Sequence, residues 1–176
     1  MQFYQSLGVE PKLSLDPDDL KKRFYDQSRL WHPDRFSRSS AAQQQQALDM
    51  TALINDAFRT LRDPVARAEY FLKQNGMELS KEAPPELLEE VFDLNMALEE
   101  LRGGDDSARP QLIDAQSRFE SMRSQIDAAL AESFANYDAS QDPKILDDIR
   151  AALNRRRYVS NLLREVEKEL NVHVSN

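Results

Sequence analysis

The sequence predicts an all-α protein of two modules: a helical hairpin with two short flanking helices, then a C-terminal three-helix bundle. Three observations predict it. Ala, Leu, Glu, Gln and Arg dominate, β-branched runs are absent and only 4 of 176 residues are Gly, a composition that favours helix throughout. Apolar residues recur with a helical period over long stretches. The helix-breaking residues gather at 8–15, 32–38, 63–64, 75–85, 103–106 and 137–143, which divides the chain into seven helical segments. The 75–85 break carries both Asn-Gly and Pro-Pro, and the charge balance changes across it. Residues 1–74 hold 11 Lys and Arg against 10 Asp and Glu; residues 75–176 hold 12 against 21. The expected organisation is therefore a first module at 1–74, a linker at 75–84 and a second module at 85–176.

In the first module a short helix is expected at about 3–7. A second begins after Asp16, an N-cap with Pro17 at the first helical position, and runs to about Trp31 along a stripe of Leu20, Phe24 and Trp31. The third runs over about 41–61, with Met50, Leu53, Ile54, Ala57, Phe58 and Leu61 on one face. The fourth follows Asp63, a second N-cap before a proline, to about Lys73. In the second module, helices are expected at about 85–102, 107–135 and 143–171, lengths and connections suited to an up-down-up bundle. The middle helix offers Leu112, Phe119, Met122, Ile126 and Leu130. The last offers Ile145, Ile149, Ala152, Val159, Leu163, Val166 and Leu170. The glutamine run 43–46 reads as solvated helix surface.

Composition excludes much chemistry. There is no Cys and there are only two His, His32 and His173, so thiolate catalysis, disulfides and the usual zinc and iron–sulfur ligand sets are not expected. No cofactor or metal is expected. A net charge of -8 argues against a general nucleic-acid or anionic-lipid surface. No stretch is long and apolar enough to span a membrane, and the N-terminal residues do not read as a targeting segment. A cytoplasmic protein is the expectation.

The turn between the second and third helices reads Trp31-His32-Pro33-Asp34-Arg35-Phe36. Pro33 ends the preceding helix and biases His32 away from helical geometry, which fixes how His32 and Asp34 project. On the preceding helix Lys21, Lys22, Tyr25 and Arg29 lie away from the apolar stripe, and Arg35 and Arg38 follow in the turn. A cationic strip of this kind steers an acidic partner; an ordinary solvated face is the plainer reading. A plain turn is likewise the alternative for 32–34. An enzyme with His32 as general base and Asp34 orienting it is disfavoured, since no nucleophile or phosphate cradle accompanies them. Arg23 lies nearer the apolar stripe, where pairing within the module would occupy it.

The first module resembles a J-domain. The resemblance is carried by Phe3-Tyr4-Gln5-Ser6-Leu7-Gly8, Leu20-Lys21-Lys22-Arg23-Phe24, His32-Pro33-Asp34, Ile54-Asn55-Asp56-Ala57-Phe58-Arg59-Thr60-Leu61, and Asp63-Pro64 with Arg67-Ala68-Glu69-Tyr70. It implies a partner of the DnaK or HscA class, an ATPase-driven heat-shock chaperone, contacted by His32, Pro33 and Asp34 with help from Lys21, Lys22, Tyr25, Arg29 and Arg35.

The first helix of the second module carries two apolar stripes. At about 100° per residue, Leu87, Val91, Leu94, Leu98 and Leu101 share one arc. Leu88, Phe92 and Met96 form another, bordered by Glu89 and Glu100. A bundle needs only the first. The second either packs elsewhere within the protein or faces a partner, for which Met is well suited. Tyr158, on the side of the last helix opposite Ile145, Ile149, Val159 and Leu163, is expected as an exposed aromatic beside Arg155, Arg156 and Arg157. It could be an anchor or a cover for its neighbours. Three Arg residues within an acidic module do not make a nucleic-acid site.

The whole architecture resembles the HscB family of co-chaperones in iron–sulfur cluster biogenesis, with Arg67-Ala68-Glu69-Tyr70-Phe71-Leu72 and Pro85-Glu86-Leu87-Leu88-Glu89-Glu90-Val91-Phe92 the more particular segments. The resemblance implies a J-type co-chaperone, not itself an enzyme, whose bundle holds an IscU-type scaffold through Leu88, Phe92, Met96, Glu100 and Tyr158. Two positions depart from the family pattern: Glu89 stands where Met is frequent, and Met96 where Glu is frequent. The alternatives are a J-domain co-chaperone for a different client, and a recruiting adaptor with a degenerate J-domain.

Overall fold

The computed structural model describes residues 1–172; His173 and the last residues expected of the C-terminal module lie outside them. The described residues form seven α-helices: α1 (Gln2–Leu7), α2 (Pro17–Leu30), α3 (Ala41–Leu61), α4 (Pro64–Gln74), α5 (Leu88–Arg102), α6 (Arg109–Ser140) and α7 (Pro143–Val172). Short 3-10 turns at Pro33–Phe36, Pro85–Leu87 and Asp106–Ala108 precede α3, α5 and α6. No strand occurs among the described residues. The chain divides into two compact units. The first holds Met1–Glu78 together with Phe134–Asp142; the second holds Leu79–Ser133 and the chain from Pro143 onward.

The helix starts in the first unit follow local chemistry. Asp16 accepts hydrogen bonds from the amides of Asp18 (2.9 Å) and Asp19 (3.4 Å). Asp63 does the same for Val65 and Ala66. Ser40 and Gln43 form a reciprocal capping box at α3. Each such cap contributes about 1 kcal/mol. Gly8 ends α1 at φ 63, left-handed geometry that a side chain would strain, and its carbonyl accepts from the Arg23 guanidinium. Arg23, which also pairs with Asp19 at 2.7 Å, is thereby occupied within the unit.

The core of this unit gathers Tyr4, Leu7, Leu13, Leu20, Ile54, Ala57, Leu61, Phe71 and Leu72, all buried. Phe24 stacks on Phe58 at 4.2 Å and Phe3 on Tyr70 at 4.5 Å. The Tyr70 hydroxyl also accepts from the Phe3 amide. Arg67 is 6% exposed. Its guanidinium donates to the carbonyls of Leu13 (2.7 Å) and Leu61 (2.6 Å). Burial lowers its pKa, against the opposing pull of Tyr4, Asp138 and Asp63. Charge-assisted bonds to carbonyls offset the cost of taking the cation out of water.

The expected end of α6 near residue 135 is corrected by the structure. The helix continues to Ser140, and the turn falls at Gln141, φ 55. The extra residues are held by partners in the first unit. The buried Tyr137 ring meets Phe71 edge-on at 5.7 Å, and the Asp138 carboxylate accepts from the amides of Leu13 (2.9 Å) and Ser14 (2.7 Å). These contacts outweigh the turn propensity of Asp, Ser and Gln in the sequence.

In the second unit the two-stripe reading of α5 holds on its inner side for Leu87, Leu94, Leu98 and Leu101, which are buried, while Val91 is only half-buried. Opposite them lie Leu112, Phe119, Ile126 and Leu130 of α6 and Ile149, Val159, Leu163 and Val166 of α7, also buried. Ala97, Ala115, Leu146, Leu153 and Leu162 join the core, beyond the expected stripes. The helix expected from residue 85 begins as a 3-10 turn, and α5 proper starts at Leu88, after Leu87, whose φ -102 and ψ 0 lie outside regular helical geometry. Arg102 near the end of α5 grips Glu169 of α7 at 2.7 Å, and that hydrogen bond holds the arginine pKa up.

Candidate functional site

The first candidate is the turn between α2 and α3. His32 is the N-cap of the 3-10 turn, with Pro33 at its first position. The His32 Nδ1 accepts from the Asp34 amide at 3.3 Å, and its carbonyl accepts from the Arg35 amide at 3.0 Å. The Asp34 Oδ2 lies 3.5 Å from the same Nδ1. Both side chains are exposed; that of Asp34 retains 91% of its accessible surface. The arrangement displays an imidazole and a carboxylate on a fixed turn.

What fixes the turn is mostly α3. The single Thr51 hydroxyl proton is shared between the Ala47 carbonyl of its own helix (2.8 Å) and the Trp31 carbonyl (3.1 Å). The Gln44 amide donates to the carbonyls of Ser37 (3.2 Å) and Ser39 (3.1 Å). Trp31 and Phe36 stack across the turn, 5.9 Å between centroids and 9° between planes. The glutamine run is exposed helix surface as expected, and two of its residues also make local bonds: Gln43 closes the capping box and Gln44 pins the loop. The Ser40-x-x-Gln43 spacing is a capping-box signature, but the Gln44 bonds have no such signal, because their carbonyls belong to irregular backbone.

The cationic strip is as expected. Lys21 and Lys22 are exposed on α2, as are Tyr25 and Arg29 further along it. Arg35 donates to the Arg29 carbonyl at 3.2 Å, which ties the turn back to the end of α2. Leu30, 52% exposed, stands beside this strip and is a residue that helical periodicity does not single out.

The second candidate is the outer face of α5. Leu88, Phe92 and Met96 are 57%, 65% and 50% exposed, so the choice left open by the sequence is decided: none is buried in the protein's core. With Glu100, also exposed, they follow one another at intervals of four residues along a slowly winding stripe. Tyr158 does not match its expectation. It is half-buried, and its hydroxyl donates to the Lys81 carbonyl at 2.6 Å. The Arg157 guanidinium lies 5.7 Å over its ring. The preceding chain passes along α7, and its carbonyls need donors, so the ring is drawn down onto the helix. The Arg triplet is also spoken for in part. Arg156 grips Asp127, and Arg157 donates to the Ser80 carbonyl and to Asn154.

Among the described residues, no cluster of three or more His, Cys, Asp or Glu side chains could hold a metal ion. No helix of the described residues is long and apolar enough to cross a membrane.

A helical hairpin presenting His-Pro-Asp at its turn, beside a basic helix, defines a J-domain protein, and comparison with known families agrees. A family model described as DnaJ domain matches residues 2–70, and one described as HSCB C-terminal oligomerisation domain matches residues 83–167. The chain is 30% identical over 175 residues to a co-chaperone protein HscB homolog of Neisseria meningitidis serogroup C, covering 96% of this chain and 99% of that one. It is 31% identical over 171 residues to a homolog of the same description from Vibrio vulnificus strain YJ016, with 95% of each chain covered. The solved structure of chaperone HscB from Vibrio cholerae superposes with a TM-score of 0.68 at 26% identity, over 97% of this chain and 98% of that one. The human co-chaperone HscB shares the fold, with a TM-score of 0.64 at 23% identity over 96% of this chain and 82% of that one. The chain belongs to the HscB family of J-domain co-chaperones.

Proposed function

We infer that this co-chaperone couples two partners: a DnaK- or HscA-class chaperone whose ATPase it stimulates, and an IscU-type iron–sulfur scaffold that it presents as client. The observation that carries the first half is the exposed His32-Pro33-Asp34 turn, braced by Thr51, Gln44 and the Trp31–Phe36 stack, at the end of a helix exposing Lys21, Lys22, Tyr25 and Arg29. A braced turn loses little conformational freedom on binding, and the cations steer an acidic partner. The ATP chemistry belongs to the partner. This chain acts by binding, and favours the hydrolysis-competent conformation only as far as it binds it more tightly.

For the client, Leu88, Phe92 and Met96 supply the apolar centre. The surrounding helix carries Glu89, Glu90, Asp93, Glu99 and Glu100 against Arg102 alone, which suits a basic surface on the scaffold. Glu100 extends the patch. Tyr158 contributes through its ring and by holding the 80–82 segment, since its hydroxyl is already used. In this reading the protein acts in the cytoplasm, alongside both partners.

The experiment is a calorimetric titration with apo-scaffold, followed by steady-state ATPase assays of the chaperone. Scaffold binding that Phe92→Ala weakens, together with stimulation that Asp34→Asn removes, supports the reading. Scaffold binding absent with stimulation intact points to a different client. Chaperone binding without stimulation points to a recruiting adaptor.

A further inference from the structure

The chain has no Cys, so its five Met residues hold all of its sulfur. They are not equally accessible. Met96 is 50% exposed, whereas Met1, Met50, Met77 and Met122 are each more covered. Met96 also stands in the middle of the α5 stripe, four residues after Phe92 and four before Glu100, about 6 Å along the axis from each. The most accessible thioether of the protein thus lies inside the surface assigned to the scaffold. Behind it Leu94, Ala97 and Leu98 close the inner side of α5, so a change at the Met96 sulfur alters the surface and leaves the core as it is.

Oxidation at this sulfur changes the contact sharply. A thioether is apolar and adapts to its partner. A sulfoxide is polar and chiral, and its oxygen needs a donor once water is removed. The helix that carries Met96 has none to give. The positions three and four residues away, which share its face, hold Phe92, Asp93, Glu99 and Glu100: one ring and three carboxylates, which only accept when ionised. The one cation of α5, Arg102, is held by Glu169 at 2.7 Å. A docked partner would therefore strip water from the sulfoxide oxygen beside three acceptors.

We propose that Met96 is a reversible oxidation site, and that its conversion to the sulfoxide by a hydroperoxide releases the scaffold from α5. This rests on the reading of α5 as the scaffold face. In the step, the Met96 sulfur attacks one oxygen of hydrogen peroxide; an S–O bond forms as the O–O bond breaks. The sulfur gives up two electrons and the peroxide takes them. The proton on the transferred oxygen passes to the departing hydroxide, which leaves as water. A methionine sulfoxide reductase restores the thioether, with a dithiol oxidised to its disulfide and the oxygen released as water.

The test treats the full chain with graded hydrogen peroxide, removes the oxidant with catalase and maps each Met by peptide mass spectrometry. The product is then titrated with apo-scaffold in a calorimeter. Met96 is expected to oxidise before the other four. The number of high-affinity sites is expected to fall in step with the fraction of Met96 oxidised. The oxidised chain is expected to bind at least about tenfold more weakly, a loss of about 1.4 kcal/mol, and to recover after treatment with reductases for both sulfoxide epimers. Stimulation of the chaperone ATPase without scaffold is expected to persist at doses that oxidise Met96 alone. Met96→Leu, whatever its own affinity, is expected to keep that affinity through the same treatment. Sulfoxide at Met96 with binding within about twofold, another Met oxidising first, or equal loss in Met96→Leu overturns the proposal. Absence of binding before peroxide is added overturns the scaffold reading itself and this proposal with it, so the two failures are told apart. The dose series on the unaltered protein decides the matter even if the variant does not fold.

Discussion

The hydroxyl of Tyr158 donates to the backbone carbonyl of Lys81 at 2.6 Å. It is the middle of three such bonds. Arg157 donates to the Ser80 carbonyl, and Asn154 donates to the Glu82 carbonyl at 3.3 Å. Residues 154, 157 and 158 share one face of α7, so one helix face holds three consecutive carbonyls of the segment before α5. Tyr158→Phe is therefore expected to lower the stability of the second unit by about 1 kcal/mol. The same variant should leave scaffold affinity within about twofold, well under 1.4 kcal/mol. Thermal unfolding and calorimetry measure the two quantities separately; a large loss of affinity without loss of stability would make the Tyr158 hydroxyl itself a direct contact.

Phe92→Ala should behave in the opposite way. The ring is 65% exposed, so its removal leaves no cavity and the unfolding midpoint should hardly move. Scaffold binding should weaken by about 1–3 kcal/mol, the range of an interface anchor. A lowered midpoint with unchanged binding would assign Phe92 to packing.

Asp34→Asn keeps the shape of the turn, because the amide of residue 34 still donates to His32 Nδ1 and Pro33 still sets the backbone. Helix content and scaffold binding should be unchanged while ATPase stimulation is lost. Loss of helical circular dichroism in this variant would refute a purely contacting role for the carboxylate.

Asp138→Ala removes the acceptor for two backbone amides, those of Leu13 and Ser14. Hydrogen bonds to a charged group contribute about 1.5–3 kcal/mol, and the first unit should be destabilised on that scale. Amide exchange at Leu13 and Ser14 should accelerate more than at Ile54 in the core. Uniform acceleration would mean global unfolding and no local role.

Tyr4 gives the alkaline behaviour. Burial is the main cause that pushes its phenol pKa well above the ordinary value of 10.0; Arg67 pulls the other way, and Asp138 and Tyr70 add to the rise. Its hydroxyl donates to the Lys12 carbonyl at 2.9 Å. A raised folded-state pKa favours the protonated native form. The contribution is fully present below about pH 10, where the unfolded phenol also keeps its proton. Above that, the unfolded chain releases a proton that the native chain retains, and stability falls with rising pH. Tyr4→Phe should cost about 1 kcal/mol at neutral pH and flatten the decline above pH 10 by about one proton. Denaturant titrations across that range read the slope, and an identical slope in both proteins would contradict this role.

Much of this protein is determined by sequence alone, because the decisive interactions are local. Asp16 and Asp63 before prolines start α2 and α4; Gly8 stops α1; the period of Ile54, Ala57 and Leu61 sets the inner face of α3. The His32-Pro33-Asp34 turn and its basic neighbours are contiguous or one helical turn apart, so they too are legible in the order of residues. The two stripes of α5 could be drawn from angular spacing, but which one faces outward could not. Exposure of Leu88, Phe92 and Met96 is decided by what else packs nearby. The remainder rests on pairs distant in sequence. Asp138 carries α6 past its expected end through Leu13 and Ser14, which lie near the other end of the chain. Gln44 and Thr51 brace a turn whose carbonyls carry no side-chain signature. Tyr158 and Arg157 are turned inward by the carbonyls of Lys81 and Ser80. Helical periodicity reports which face of a helix is apolar; it says nothing of which backbone carbonyls will lie against the polar face, and only the tertiary structure decides that.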